Sequence, residues 1–144
     1  MPLTLDEEIE IPIDENTTTT YIVSSQHRKT GNPNKTIWTL SYEEEVECFT
    51  LSKKESWIDG KYGWGIKPSN SLISYLGHNF ENERLKLAKF VDGSDNDVWH
   101  GYPADYLRRN QDRPPYEILK DWVKKKHLNK SKMNKIRRGQ SCNL

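Results

Sequence analysis

The sequence predicts an α+β fold: a mostly antiparallel sheet of about four to five strands from the N-terminal half, with two to three helices, mainly C-terminal, packed on or beside it. Three observations carry this expectation. Residues 1–66 contain short runs of alternating or β-branched residues separated by turn chemistry. After Pro114-Pro115 the apolar residues adopt helical spacing. The 144 residues include five Trp, seven Tyr and three Phe, so large rings supply much of a core in a chain that is only 33% hydrophobic and 30% charged. This length predicts a single domain over 1–144, with a strand-rich half at 1–66 and a mixed half at 67–144 carrying basic C-terminal helices.

Residues 7–13 alternate polar and apolar up to Pro12, which marks an edge strand or its end because proline has no N–H for a ladder. Asp14-Glu15-Asn16 is a turn, and Thr17–Ser25, with Tyr21-Ile22-Val23, is a second strand. Residues 26–35 read as a long hairpin tip around Gly31 and Asn32-Pro33-Asn34. Thr36–Ser41 and Glu45–Leu51 complete an expected four-stranded meander, with the acidic Glu43–Glu45 run between them. Asp59-Gly60 is a tight-turn signal inside Trp57–Ile66. Ser69–Leu76 reads as a short helix stopped by Gly77. Glu83–Val91 fits either a strand or a helix capped by Asn79. Residues 92–97 form a loop. The helix after Pro115 has Ile118, Leu119, Trp122 and Val123 on one stripe. Asn129 caps a last helix to about Arg138, with Gly139 as its stop.

Charge is graded along the chain. Residues 1–50 hold ten acids and three Lys/Arg, whereas residues 101–144 hold twelve Lys/Arg and four acids. Such a gradient points to an anionic partner for the basic end, or to attraction between the two ends. Two cysteines without CxxC or Cys/His spacing exclude a zinc framework, and no metal or other cofactor is expected. Cys48 reads as a buried strand thiol. The absence of an N-terminal apolar run and of an 18-residue apolar stretch predicts a cytoplasmic chain with no membrane partner. The Asn-x-Ser/Thr matches at Asn16, Asn34 and Asn129 then carry no meaning. Asp92, Asp95 and Asp97 lack the EF-hand order. No phosphate-binding glycine loop, serine-hydrolase elbow or zinc-protease motif occurs.

The chemistry-bearing groups concentrate in Trp99–Pro115. His100 can move protons near neutral pH, and Asp105 could hold its ring. With Arg108, Arg109 or Arg113 bracing a phosphoryl group, they would make a metal-independent nuclease site, given a second histidine from His27 or His78. The alternative is structural use of the same residues. Lys124, Lys125, Lys126, Lys130, Lys132, Lys135, Arg137 and Arg138 lie within fifteen positions and no acid interrupts them. They support contact with a nucleic-acid backbone without base reading, aided by Arg108, Arg109 and Arg113. Trp57, Trp64 and Trp99 are candidate stacking rings, or core. The leading expectation is a non-catalytic accessory module for nucleic acid or a nucleoprotein. The alternatives are a small nuclease built on His100, and a dedicated protein-partner binder of the inhibitor kind using the acidic N-terminal strands.

Overall fold

The computed structural model describes residues 8–14, 16–28, 35–69 and 72–144. The chain is α+β. Its strands are β1 Glu8–Pro12, β2 Thr20–Ser24, β3 Ile37–Trp38, β4 Ile58–Asp59, β5 Tyr62–Gly65, β6 Pro68–Ser69, β7 Leu72–Ile73, β8 Gly77–His78, β9 Arg84–Leu85, β10 Leu87–Val91 and β11 Val98–Ala104. Its helices are α1 Tyr42–Lys54, α2 Tyr116–Lys124 and α3 Lys130–Arg137. The principal sheet has the order β1-β2-β11-β10-β5-β4. Every neighbouring pair is antiparallel except β2 and β11, which run parallel. The two central strands therefore come from the C-terminal half, not from an N-terminal meander. A three-stranded sheet, β3-β8-β9, and the β6-β7 pair complete the strands.

The segment expected to be a strand at Glu45–Leu51 is helical. Ser41 starts α1 with a capping box: its hydroxyl accepts from Glu44 N at 3.2 Å, and Glu44 Oε1 accepts from Ser41 N at 3.2 Å. Glu43–Glu45 sit in the first turn and Lys53-Lys54 in the last, matching the helix dipole. The inward positions are Glu45, Cys48, Phe49 and Ser52, at helical spacing. Two of those four are polar, which hides the stripe. Local alternation around Val46 and Cys48 imitates period two. Both inward polar groups have partners. Glu45 is 1% exposed and is held by the Tyr21 hydroxyl and by Arg28 Nη2 at 2.8 Å, and Ser52 Oγ donates to Trp64 O at 2.6 Å. Cys48 is buried, as expected, but on a helix, and burial pushes its thiol up to about 12.

The expected helix at Ser69–Leu76 is also corrected. Ser69 pairs with Leu72 and Pro68 with Ile73 in an antiparallel turn. Leu72 is exposed while Ile73 and Leu76 are buried, so the three do not share a helical face. Glu83–Val91 resolves to strand, as β9 and β10. Of the hairpin tip expected at 26–35, residues 29–34 lie outside the described residues.

α1 covers one face of the principal sheet over Tyr21, Val23, Ala88, Phe90 and Trp99. Phe90 lies opposite Gly101 on one neighbouring strand and Gly63 on the other. A Cβ at Gly101 would sit 2.4 Å from Phe90 Cδ1, so glycine makes room for the ring. α2 and α3 bring Ile118, Leu119, Trp122, Met133 and Ile136 against Trp57, Trp64, Leu87 and Ala104. Each fully buried Leu, Ile or Phe side chain contributes about 1.5–3 kcal/mol. α3 begins where Asn129 Oδ1 accepts from Lys132 N at 2.8 Å and ends at Gly139, φ +68°. Among the described residues no helix is long and apolar enough to cross a membrane.

Candidate functional site

Strand β11 alternates between the two faces. Trp99 and Gly101 point toward α1, against Phe49 and Phe90. His100 and Tyr102 therefore point to the opposite face. There, cross-strand registry aligns His100 with Val91 and Tyr62, and Tyr102 with Lys89 and Trp64. α2 and α3 cover the Trp64–Leu87–Ala104 end of this face. The His100 end stays open, and Tyr62 is 42% exposed.

The second histidine on this face is His27. It lies in the 3-10 turn Ser25–His27 that directly follows β2. Its ring stacks on Tyr102, with centroids 5.2 Å apart and planes 19° apart. Its Nδ1 lies 2.9 Å from Thr36 O. A carbonyl can only accept, so Nδ1 carries the proton and Nε2 is left as an acceptor. Burial pulls His27 down to about 4, the Thr36 bond opposes this, and Lys35, His100 and Arg109 push the same way as burial. His100 is solvent-exposed on part of its ring, yet the sheet beneath desolvates it enough to lower it below the usual imidazole value. Glu8 and Asp92 oppose this shift and Lys35 adds to it.

Under Tyr102 lies a buried polar node. Asp112, 0% exposed, accepts from Tyr102 OH at 2.9 Å through Oδ1 and from Asp105 N at 2.9 Å through Oδ2. Lys89 Nζ approaches Asp112 to 4.0 Å and donates to Gln111 O. It also lies over Tyr62 at 5.0 Å and Trp64 at 5.5 Å. Burial raises Asp112 and lowers Lys89, each toward its neutral form, and the charge of the other opposes both shifts.

Asp105 does not reach His100. The two lie five positions apart along extended chain, roughly 16 Å. The Asp105 carboxylate accepts from Asn79 Nδ2 at 3.2 Å and faces Arg108 Nη1 at 3.6 Å. His78 is bonded to Asn79 O at 3.1 Å instead of joining the sheet face. Trp57, Trp64 and Trp99 are 1%, 6% and 3% exposed. Their rings are covered by protein, and each Nε1–H has an internal acceptor: Asp121, Asp112 O and Asp97 respectively. Tyr62 is the ring that this face presents to solvent. Its place on this face comes from pairing with β10, which no local sequence signal carries.

The cations divide sharply. Arg108 pairs with Glu81 at 3.0 Å and Glu83 at 2.5 Å, and Arg113 donates to Tyr106 O at 3.0 Å and Asn110 Oδ1 at 2.8 Å. Lys125 is held by Glu55 at 2.6 Å and Asp121 at 2.7 Å. Arg109 acts electrostatically on His27, Tyr102 and Asp112. Arg137 lies over the Tyr116 ring at 4.7 Å. By contrast, Lys124, Lys126, Lys130, Lys132, Lys135 and Arg138 form no ion pair with a carboxylate among the described residues, although Lys124 acts on Asp121 through space. Lys126, His127, Lys130 and Lys132 line a shallow depression where α2 hands over to α3.

Among the described N-terminal acids Glu45 is buried and Glu44 half-buried, whereas Glu8, Glu10, Asp14, Glu43 and Glu47 are exposed. Glu44 pairs with Lys67 and Glu45 with Arg28. In the 92–97 loop, Asp92 accepts from Asp97 N at 2.8 Å, and Asp97 accepts from Thr19 Oγ1 at 2.6 Å. Among the described residues no cluster of three His, Cys, Asp or Glu is placed to hold a metal ion. Comparison with protein-family models, with curated proteins and with solved structures finds no match for this chain.

Proposed function

We propose that the protein is a nucleic-acid- or nucleoprotein-contacting module, and that the end of α2 together with α3 holds the phosphate backbone. One observation carries the reading: six lysines and arginines between 124 and 138, five exposed and Lys132 half-buried, form no ion pair with a carboxylate among the described residues, whereas nearby Lys125, Arg108 and Arg113 are committed to internal bonds. Clustered unpaired cations give affinity by releasing counterions from a polyanion. Base reading is not part of the proposal, because the cations surround much of α3 instead of forming one edge.

The test is binding of a labelled single-stranded RNA and a labelled DNA duplex between 50 and 200 mM salt. If the six cations neutralise six phosphates of the single strand, log affinity falls against log salt with a slope near about −4, a loss of a few hundredfold across that range. Reversing Lys130, Lys135 and Arg138 to Glu flattens the slope and abolishes binding. Affinity indifferent to salt, or unchanged by the reversals, removes the proposal.

A further inference from the structure

We propose that the open end of the second sheet face is a metal-independent RNA-cleaving site, with His27 as general base and His100 as general acid. This goes beyond the polyanion reading, since it concerns a different surface and a chemical step.

Three geometric facts converge. His100 and Tyr102 are two residues apart on the same face of β11, so their backbones are about 7 Å apart. His27, half-buried, is stacked on Tyr102, two positions along β11 from the exposed His100. Thr36 O fixes the His27 tautomer, leaving Nε2 as the acceptor that a base requires. Tyr102, itself held by buried Asp112, is the positioning residue that sets the His27 ring plane. Arg109 and Lys35 act on His27 through space, and Glu8 and Asp92 act on His100. Tyr62, on the same cross-strand row as His100, offers a ring face for an adjacent base.

The step balances within RNA. The ribose 2′-OH gives its proton to His27 Nε2 and its oxygen forms a bond to phosphorus. The bond from phosphorus to the 5′ oxygen breaks, and that oxygen takes a proton from His100. The products are a 2′,3′-cyclic phosphate and a 5′-hydroxyl. His27 then loses a proton to water and His100 regains one. DNA, without the 2′-OH, cannot react this way.

The groups facing the two imidazoles set the pH range. Lys35, Arg109 and Tyr102 surround His27, and Glu8, Asp92 and Lys35 surround His100. The base must be neutral, which holds above about 4, and the acid must be protonated, which holds only below its own lowered value. The rate is therefore bell-shaped with its maximum on the acid side of neutrality.

The experiment incubates the full chain with a 20-nucleotide RNA and a panel of dinucleoside monophosphates in excess chelator, from pH 4 to 8. The expected result is chelator-resistant release of 2′,3′-cyclic phosphate ends, strongest on the acid side of neutrality, with none from a substrate carrying 2′-deoxyribose at the scissile position. H100Q, at an exposed position, and H27N, whose amide can still donate to Thr36 O, each lower the rate by about 10²-fold or more. A variant with Lys130, Lys135 and Arg138 reversed to Glu still cleaves the dinucleoside substrates, which separates this site from the helical surface. The inference is overturned if wild-type protein yields no cyclic phosphate ends across the pH range, or if H100Q cleaves as fast as wild type.

Discussion

Removing the carboxylate at the centre of the polar node should destabilise the protein far more than an ordinary surface change. In Asp112→Ala, the fully buried Asp105 N–H and the half-buried Tyr102 hydroxyl lose their acceptor, and the Lys89 ammonium loses its counter-charge while keeping Gln111 O. One orphaned buried donor costs about 1–3 kcal/mol. Breaking a buried ion pair from one side costs about 3–5 kcal/mol in total. At about 2–4 °C per kcal/mol for a chain of this size, the melting temperature falls by about 10–15 °C. Thermal unfolding followed by circular dichroism, with urea titration as a second probe, measures this. The double variant Lys89→Met, Asp112→Leu removes both charges together and should recover more than half of the loss, because much of the single-variant cost is the abandoned lysine. A fall of less than 3 °C for Asp112→Ala, or a double variant no better than the single, refutes the reasoning about this pair.

Two further outcomes follow from the same geometry. His27 is held at about 4 in the folded chain against 6.5 when unfolded. A lowered folded value means that the unfolded chain binds more protons in this window, so the stabilisation is present above pH 6.5 and is lost as pH falls toward 4. The loss reaches up to about 3 kcal/mol, and the difference in unfolding free energy between wild type and H27N should shrink or reverse over that window. A constant difference contradicts the assignment. Gly101→Ala would place a methyl against Phe90 and the Tyr21 hydroxyl, at 2.4 Å and 2.8 Å before relaxation. It should cost about 1–3 kcal/mol in urea unfolding, and Phe90→Leu in the same chain should return part of it.

What could be read locally came out of the sequence, and what needed distant partners did not. α2 and α3 were legible because their signals lie within a few residues: Pro115 before the first turn, the Ile118–Leu119–Trp122 stripe, the Asn129 cap and the Gly139 stop. The Asp59-Gly60 turn was legible for the same reason. α1 was misread although Ser41 and Glu44 form a capping box, because Glu45 on its buried face looks polar until Arg28 and Tyr21 arrive to hold it. Residues 84–91 were undecided between strand and helix until pairing with β5 and β11 settled them. The meeting of His27 with Tyr102 spans 75 positions of chain, and no local propensity encodes it. Periodicity and capping are short-range properties of the backbone. Which face of β11 is open, and which histidine reaches it, depends on registry among strands far apart in sequence, and only the folded chain sets that registry.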